Sequence, residues 1–386
     1  MTGRDKIIAA LGPEGSPSFA AVTCYQGLFL RDHWEEATDV PWWAQHDPDP
    51  ERAARPWVEM VRRTDEDWFQ VRYGQSRVAR EDTAIETEGE TAWRVNRRTG
   101  ERRALHRPPV GGDQPGPEAA SPGAHVQTPE QLETAIDAVF GPRPGDFVPP
   151  DDGSLDLPQV LLRELGAERM PIAHVPSPWW WCHSLWGFSE LMERMIETPQ
   201  LVKRACGRLL EHSLHSVQQS AAAGAGLIWI EDCMSDMISP AQCRDFSLGF
   251  VRPLVEAIRA AGMLSVHYYC GRPTDRWEML LDTGADALAL EEGKKGFAVD
   301  MLQVADMVEG RMALLGNIDA IGLMEHGSDA ALQAEIARQC EAGRRNRNRF
   351  VVSVGSPVTP GTPIARVRRY CDLVHQAAGR GVRPQA

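Results

Sequence analysis

Residues 263–270 (Met-Leu-Ser-Val-His-Tyr-Tyr-Cys), closed by Gly271, gather the side chains best suited to chemistry. An apolar start runs into a histidine, two tyrosines and a cysteine, as in a buried strand whose last residues open into a site. Neutral imidazole and thiolate together are the ligand types that favour zinc. The spacing complicates that reading, because side chains two apart on a strand share a face and side chains three apart do not. His267 and Cys270 can therefore grip one ion only if the chain has bent by Cys270, which Gly271 permits. The alternative is a buried histidine and a structural thiol at a strand end.

The elements that would position such a site are legible as an alternation. Apolar strand patterns occur at 18–26, 170–176, 227–233, 264–270, 287–292, 312–319 and 350–355. Helical patterns fall between most of them, at about 187–197, 199–222, 240–261, 274–283, 299–309, 329–343 and 362–378. Ser239-Pro240 is a start signal for the third of these. Strands alternating with helices require right-handed crossovers and a parallel sheet. Seven such strands favour a closed (β/α)8 TIM barrel, with the eighth strand expected somewhere in residues 70–168. Residues 27–69 read as helical and irregular, 84–106 as an inserted antiparallel hairpin turning at Thr99-Gly100, and 107–127 as a Pro/Gly-rich loop. The expected organisation is one barrel domain over 1–386, whose 27–127 portion holds a lid-like segment and the hairpin insertion.

Active sites of such barrels lie at the C-terminal ends of the strands. Those ends here are Cys24-Tyr25-Gln26, Ser177, Glu231-Asp232-Cys233, His267 to Cys270, Glu291-Glu292 with Lys294, Asn317 and Asp319, and Ser353 with Ser356. Converging carboxylates repel one another unless a cation, a lysine or shared protons offset them. Lys294, Arg272 and a metal are the candidates. The expected catalytic groups are Glu231, Asp232, His267 and Asp319, and the expected metal ligands His267, Cys270 and Glu231. Tyr25, Trp180, Tyr268, Arg272, Glu292, Lys294 and Asn317 are the expected substrate contacts. Trp34, Trp42 and Trp43, then Trp179, Trp180 and Trp181, form two clusters that suit an apolar or planar ligand, ordinary packing or a homodimer contact. The favoured use is a lid over the mouth.

Composition narrows the function classes. The 386 residues carry a formal charge of −13, which argues against nucleic acid or an anionic membrane as partner. No apolar run reaches the ~18 residues of a membrane span, and residues 1–6 lack a signal-peptide core. Eight cysteines without a CxxC pair suggest reduced thiols and a cytoplasmic protein. The basic run 344–349 precedes the last strand, so it belongs at the opposite mouth as a solvated helix end.

Trp186-Gly187-Phe188-Ser189-Glu190 through Pro199, residues 226–232 with Ser239-Pro240, and 266–271 with Gly284-Ala285-Asp286 resemble the uroporphyrinogen decarboxylase superfamily. So do Gly316-Asn317-Ile318-Asp319-Ala320 and residues 355–363. The likeness covers about residues 170–378 and implies a (β/α)8 barrel with its site in the C-terminal mouth. It also implies one of two chemistries: cofactor-free decarboxylation of porphyrinogen acetate groups, or zinc-dependent methyl transfer between a corrinoid and a thiol. The family's Arg-Gln-Ala-Gly-Arg segment is replaced by Cys24-Tyr25-Gln26-Gly27, so a bidentate grip on several carboxylates has no evident source there. The His-x-Cys-Gly of the methyltransferases is also altered, with Tyr268 two before Cys270 and Ser356 where a late thiol would stand. Glu231, Cys233 or Cys24 could complete a modified zinc set. The expectation is metal-assisted methyl transfer or demethylation of a small molecule, any corrinoid arriving on a separate protein. The decarboxylase, acting on a tetrapyrrole or an aromatic or aliphatic acid, is the alternative.

Overall fold

Alternating burial in the strands divides the interior in two. Along Leu227–Asp232 and Leu264–Tyr269, Leu227, Trp229, Val266 and Tyr268 join one apolar cluster, while Ile228, Ile230 and Tyr269 join another. The first cluster fills a barrel and the second lies between barrel and helices. The computed structural model describes residues 1–89, 91–112, 121–293 and 296–379.

The strands, in chain order, are β1 (Ala21–Val22), β2 (Trp68–Gln70), β3 (Thr83–Glu88), β4 (Thr91–Asn96), β5 (Arg102–Leu105), β6 (Met170–Pro176), β7 (Leu227–Asp232), β8 (Leu264–Tyr269), β9 (Ala287–Leu290), β10 (Ala313–Ile318) and β11 (Phe350–Val354). Eight of them form one parallel sheet in the order β1-β11-β10-β9-β8-β7-β6-β2, with helices between successive strands. This is the expected (β/α)8 barrel. Its eighth strand is β2, which begins ahead of the 70–168 interval expected for it, inside the stretch read as helical and irregular, and reaches that interval only at Gln70. Three residues, set off from the helix before them by residues 65–67, show no alternation to read.

Because β1 and β2 are so short, side chains complete the seam between them. The Asp67 N–H donates to Ala21 O at 3.0 Å, and the Ala21 N–H donates to Asp67 Oδ2 at 2.7 Å. Beside it, buried Glu66 accepts from the Thr23 N–H at 2.9 Å and from Gln26 Nε2 at 3.1 Å. Burial pushes the Glu66 carboxyl up, against these bonds.

The N-terminal mouth is plugged. Thr2 and Asp5 form a capping box at the start of helix Gly3–Leu11. Ile7, Ala10 and Leu11, at helical spacing, sit in the same apolar cluster as the lumen residues. Arg349 ties the plug down, donating to Leu11 O at 3.0 Å and to Gly310 O at 2.7 Å. With the bottom closed, the lumen among the described residues faces the strand C-termini.

Two elements differ in detail from the sequence reading. The inserted hairpin is a three-stranded antiparallel meander, β3-β4-β5. Thr99-Gly100 lies in its second turn, and the first, at Gly89 (φ 61°), is hidden among charged residues. The helix expected over 240–261 starts at Ser239, whose side chain caps it, but is interrupted by a π turn at Arg244–Leu248.

Candidate active site

The pleat separates residues that lie side by side in sequence. The parallel register pairs Glu231 with Tyr268 and Asp232 with Tyr269, so Glu231 and Tyr268 face the lumen while Asp232 and His267 face the helices. Asp232 Oδ1 accepts from Ser177 Oγ at 2.9 Å. Its Oδ2 accepts from Ser247 Oγ of the π turn at 2.6 Å and faces His267 Nε2 at 3.2 Å. Both side chains are fully buried. The chain turns only at Gly271 (φ 139°), one residue too late to bring His267 round to Cys270. The expected ligand trio of His267, Cys270 and Glu231 is therefore not assembled. Among the described residues, no group of three His, Cys, Asp or Glu side chains is arranged to hold a metal ion. Asp232 and His267 form a buried pair that braces barrel against helix.

Inside the mouth a different histidine takes the place expected for His267. His174 of β6 lies with Nδ1 2.9 Å from Glu231 Oε1, the two side chains being 12% and 14% exposed. Sequence reasoning passed over it inside the apolar run of β6. Its signal was parity, since it stands two residues after Ile172, which faces the lumen. The Tyr25 ring lies 5.1 Å from the His174 ring and 6.2 Å from that of Tyr268. Below, Trp229 stacks against Tyr268 at 4.9 Å and meets Trp68 edge-on at 5.8 Å. Tyr25 adopts a left-handed conformation (φ 57°, ψ 48°), a strain of about 1–3 kcal/mol that aims its ring inward.

Three thiols border the same space. Cys270 donates from Sγ to Glu291 Oε2 at 3.2 Å and contacts the Cys233 thiol. The contact with Cys270, then burial and the nearby carboxylates, hold the Cys233 thiol far above its ordinary range. Burial, followed by the charges of Glu231, Cys233 and Cys24, does the same for the Tyr25 phenol. Burial also raises Tyr268, whose hydroxyl donates to Gly355 O at 3.1 Å. Tyr25, Tyr268 and Cys233, raised in this way, thus stand as O–H and S–H groups beside the Glu231–His174 pair.

The other expected site residues are spread around this centre. Asn317 donates to Val299 O at 3.0 Å, and Glu292 accepts from Ser356 Oγ at 2.8 Å, both at the rim. Asp319 is a helix cap, accepting from the N–H groups of Ile321 and Gly322 at 2.9 Å each, and is not directed at the lumen centre. Arg272 lies exposed over the Phe297 ring. Trp180 stacks on His183 at 4.9 Å, while Trp179 is fully buried and donates to Cys233 O at 3.0 Å. Trp181 packs against Phe140. Of the three indoles, only Trp179 bonds to a strand end. Lys294 lies outside the described residues.

A histidine–carboxylate pair at the strand C-termini of a (β/α)8 barrel plugged at its other end stands where the sites of such barrels lie. The chain belongs to the uroporphyrinogen decarboxylase family, whose model matches residues 152–377. A uroporphyrinogen decarboxylase of Tolumonas auensis is 25% identical over 199 residues, 49% of this chain and 52% of that protein. One from Psychromonas ingrahamii is 22% identical over 227 residues, 56% of this chain and 62% of that protein. The chain thus spans about half to six-tenths of these relatives' length. A methyltransferase from Methanosarcina mazei shares the fold with a TM-score of 0.62 at 17% identity, covering 97% of this chain and 99% of that one. Among the described residues no helix is long and apolar enough to cross a membrane.

Proposed function

We propose that this chain is a cofactor-free decarboxylase acting on a carboxylate borne by a planar, electron-rich ring, a tetrapyrrole or a smaller aromatic acid. The observation that carries the reading is the Glu231–His174 pair, 2.9 Å apart within an aromatic-walled mouth. Decarboxylation breaks the bond between ring-side carbon and carboxylate, leaves its electron pair on that carbon and releases CO₂. The carbon must then receive one proton. An imidazole is a suited donor near neutral pH, and a carboxylate on its other side orients it and supports its charge. Glu231 plays that part for His174, and bulk water through the open mouth restores the proton. The Tyr25 hydroxyl, held protonated, offers a hydrogen bond to substrate. The Trp229 and Tyr268 rings exclude water from the reacting carboxylate.

The test is CO₂ release from a panel of pyrrole and aryl carboxylates. His174→Gln and Glu231→Gln should each lower it by about 10²–10⁴-fold with the urea midpoint unchanged. Wild-type turnover in folded His174→Gln would overturn the assignment.

One contact favours a second reading, thiol-dependent methyl transfer with a corrinoid delivered by another protein. Cys270 lies between the Cys233 thiol and the Glu291 carboxylate, donor types that suit zinc, although among the described residues they are not arranged as a ready set of three, so binding would require the mouth to rearrange. Stoichiometric zinc in protein purified without chelators, and its loss in Cys270→Ala, would displace the decarboxylase reading.

A further inference from the structure

At the rim, the inserted β3-β4-β5 sheet and the turn Trp42–His46 enclose a cleft that the lumen chemistry does not use. One cavity of about 210 Å³ is lined by His46, Trp57, Arg72, Gln75 and Arg94, among others. A second, of about 440 Å³, reaches Gly27 and Gln70 and shares Gln45, Trp57 and Arg72 with the first. Arg72 is the partition between them, its guanidinium 4.8 Å above the Trp57 ring. It stands two residues beyond the end of β2, and the inner cavity reaches Gln70, the last residue of that strand.

The charges in this cleft do not balance. Arg80, in the lining, is paired with Asp156. Asp47, the acid in the lining, lies 3.7 Å from Arg52 and accepts the Asp49 N–H at 2.9 Å. Among the described residues neither Arg72 nor Arg94 has an ion-pair partner, in a chain with a formal charge of −13 where acids are abundant. Burial holds the His46 imidazole below its ordinary value, and the charges of Arg94 and Arg72, both facing it, add to the effect. A guanidinium stacked on an indole keeps its N–H edge free for the two oxygens of one oxyanion.

We infer that Arg72 and Arg94 form a binding site for the carboxylate or phosphate group of a small ligand, at the barrel rim and closed on one side by the inserted sheet. The outer cavity is smaller than the roughly 300–1,000 Å³ of whole-ligand pockets. It takes the anionic arm, and the inner cavity the remainder. The site stands whichever reaction the lumen performs.

The experiment titrates the full-length protein with benzoate and, separately, with phenyl phosphate, read by calorimetry and tryptophan fluorescence. Saturable binding of at least one probe is expected. Arg72→Met and Arg94→Met should each weaken it about tenfold or more, as loss of a charge-assisted hydrogen-bond pair implies. Arg97→Met, at the exposed turn of the same sheet, should leave it unchanged. Tighter benzoate identifies a carboxylate ligand, tighter phenyl phosphate a phosphate ester. No saturable binding of either probe overturns the inference, as does binding that survives in Arg94→Met. Arg94 is exposed on the insertion, so its replacement decides the matter even if Arg72→Met does not fold.

Discussion

Neighbouring carboxylates with opposite duties give the sharpest test of the barrel's register. Asp232→Ala removes the acceptor shared by Ser177 Oγ, Ser247 Oγ and His267 Nε2 in a space closed to water. Each orphaned donor costs about 1–3 kcal/mol, but hydroxyls turn toward other acceptors, so the three do not add in full. Breaking a buried charged network costs about 3–5 kcal/mol, the figure expected here. With a urea slope of about 3 kcal/mol/M, the upper end for small proteins, the midpoint falls by about 1–1.7 M. Glu231→Gln, one residue earlier, replaces a side chain in the open mouth whose hydrogen-bond partner is His174. Its midpoint should stay within a few tenths of a molar unit while CO₂ release collapses. Urea unfolding followed by tryptophan fluorescence, with the activity assay beside it, measures both. A stable Asp232→Ala together with an unstable Glu231→Gln would show that the strand faces are reversed, and the site described here would be wrong.

Three further outcomes follow from other regions. Gly271→Ala places a Cβ about 2.1 Å from Asp236 Cγ at a φ of 139°, so it should destabilise the loop after β8 and lower activity, as paired melting and rate measurements would show. Burial and the Asp232 charge push the Cys243 thiol up to about 12, and burial pushes Cys340 up to about 11, from 9.0. The folded state keeps protons that the unfolded chain releases, so stability is whole below about pH 9 and is lost as pH rises through 11 and 12; urea midpoints at pH 8, 10 and 11 should fall, less steeply in Cys340→Ala. Ile7→Ala, in the plug, should cost about 2–5 kcal/mol as a buried large-to-small change, with a normal KM if the mouth is the sole entrance.

The barrel was legible because its central strands are long and bounded by helices of clear period. Residues 170–176 were read with the bounds that β6 has, and β7 to β11 within one or two residues of theirs, whereas the first strand, read over 18–26, is only Ala21–Val22. β2 escaped because three residues carry no period, and its seam with β1 is made by the side chains of Glu66 and Asp67. The candidate site was legible by location and not by face. Reading strand ends as sets of polar residues found Glu231, Tyr25, Tyr268 and Cys270, but it also swept in Asp232, His267 and Asp319, which the pleat or a helix cap directs elsewhere. His174 was missed because it lies inside the apolar run, where only strict alternation from Ile172 marks it as inward. Arg72 and Arg94 could not be joined in sequence, since a meander must fold over the rim before they share a cleft.

The plug and the closing strand also bear on how the chain is made. Leu11 and its partner Arg349 are 338 residues apart in sequence, and Ala21 of β1 finds its register opposite Val352. A ribosome delivers the first of each pair long before the second. The N-terminal helix and β1 must therefore wait, their apolar faces uncovered, until β11 has emerged. Contacts of such long sequence separation form slowly, and surfaces exposed in the interval are those on which nascent chains aggregate. The seam that completes this barrel is thus also the place where chaperone protection during synthesis matters most.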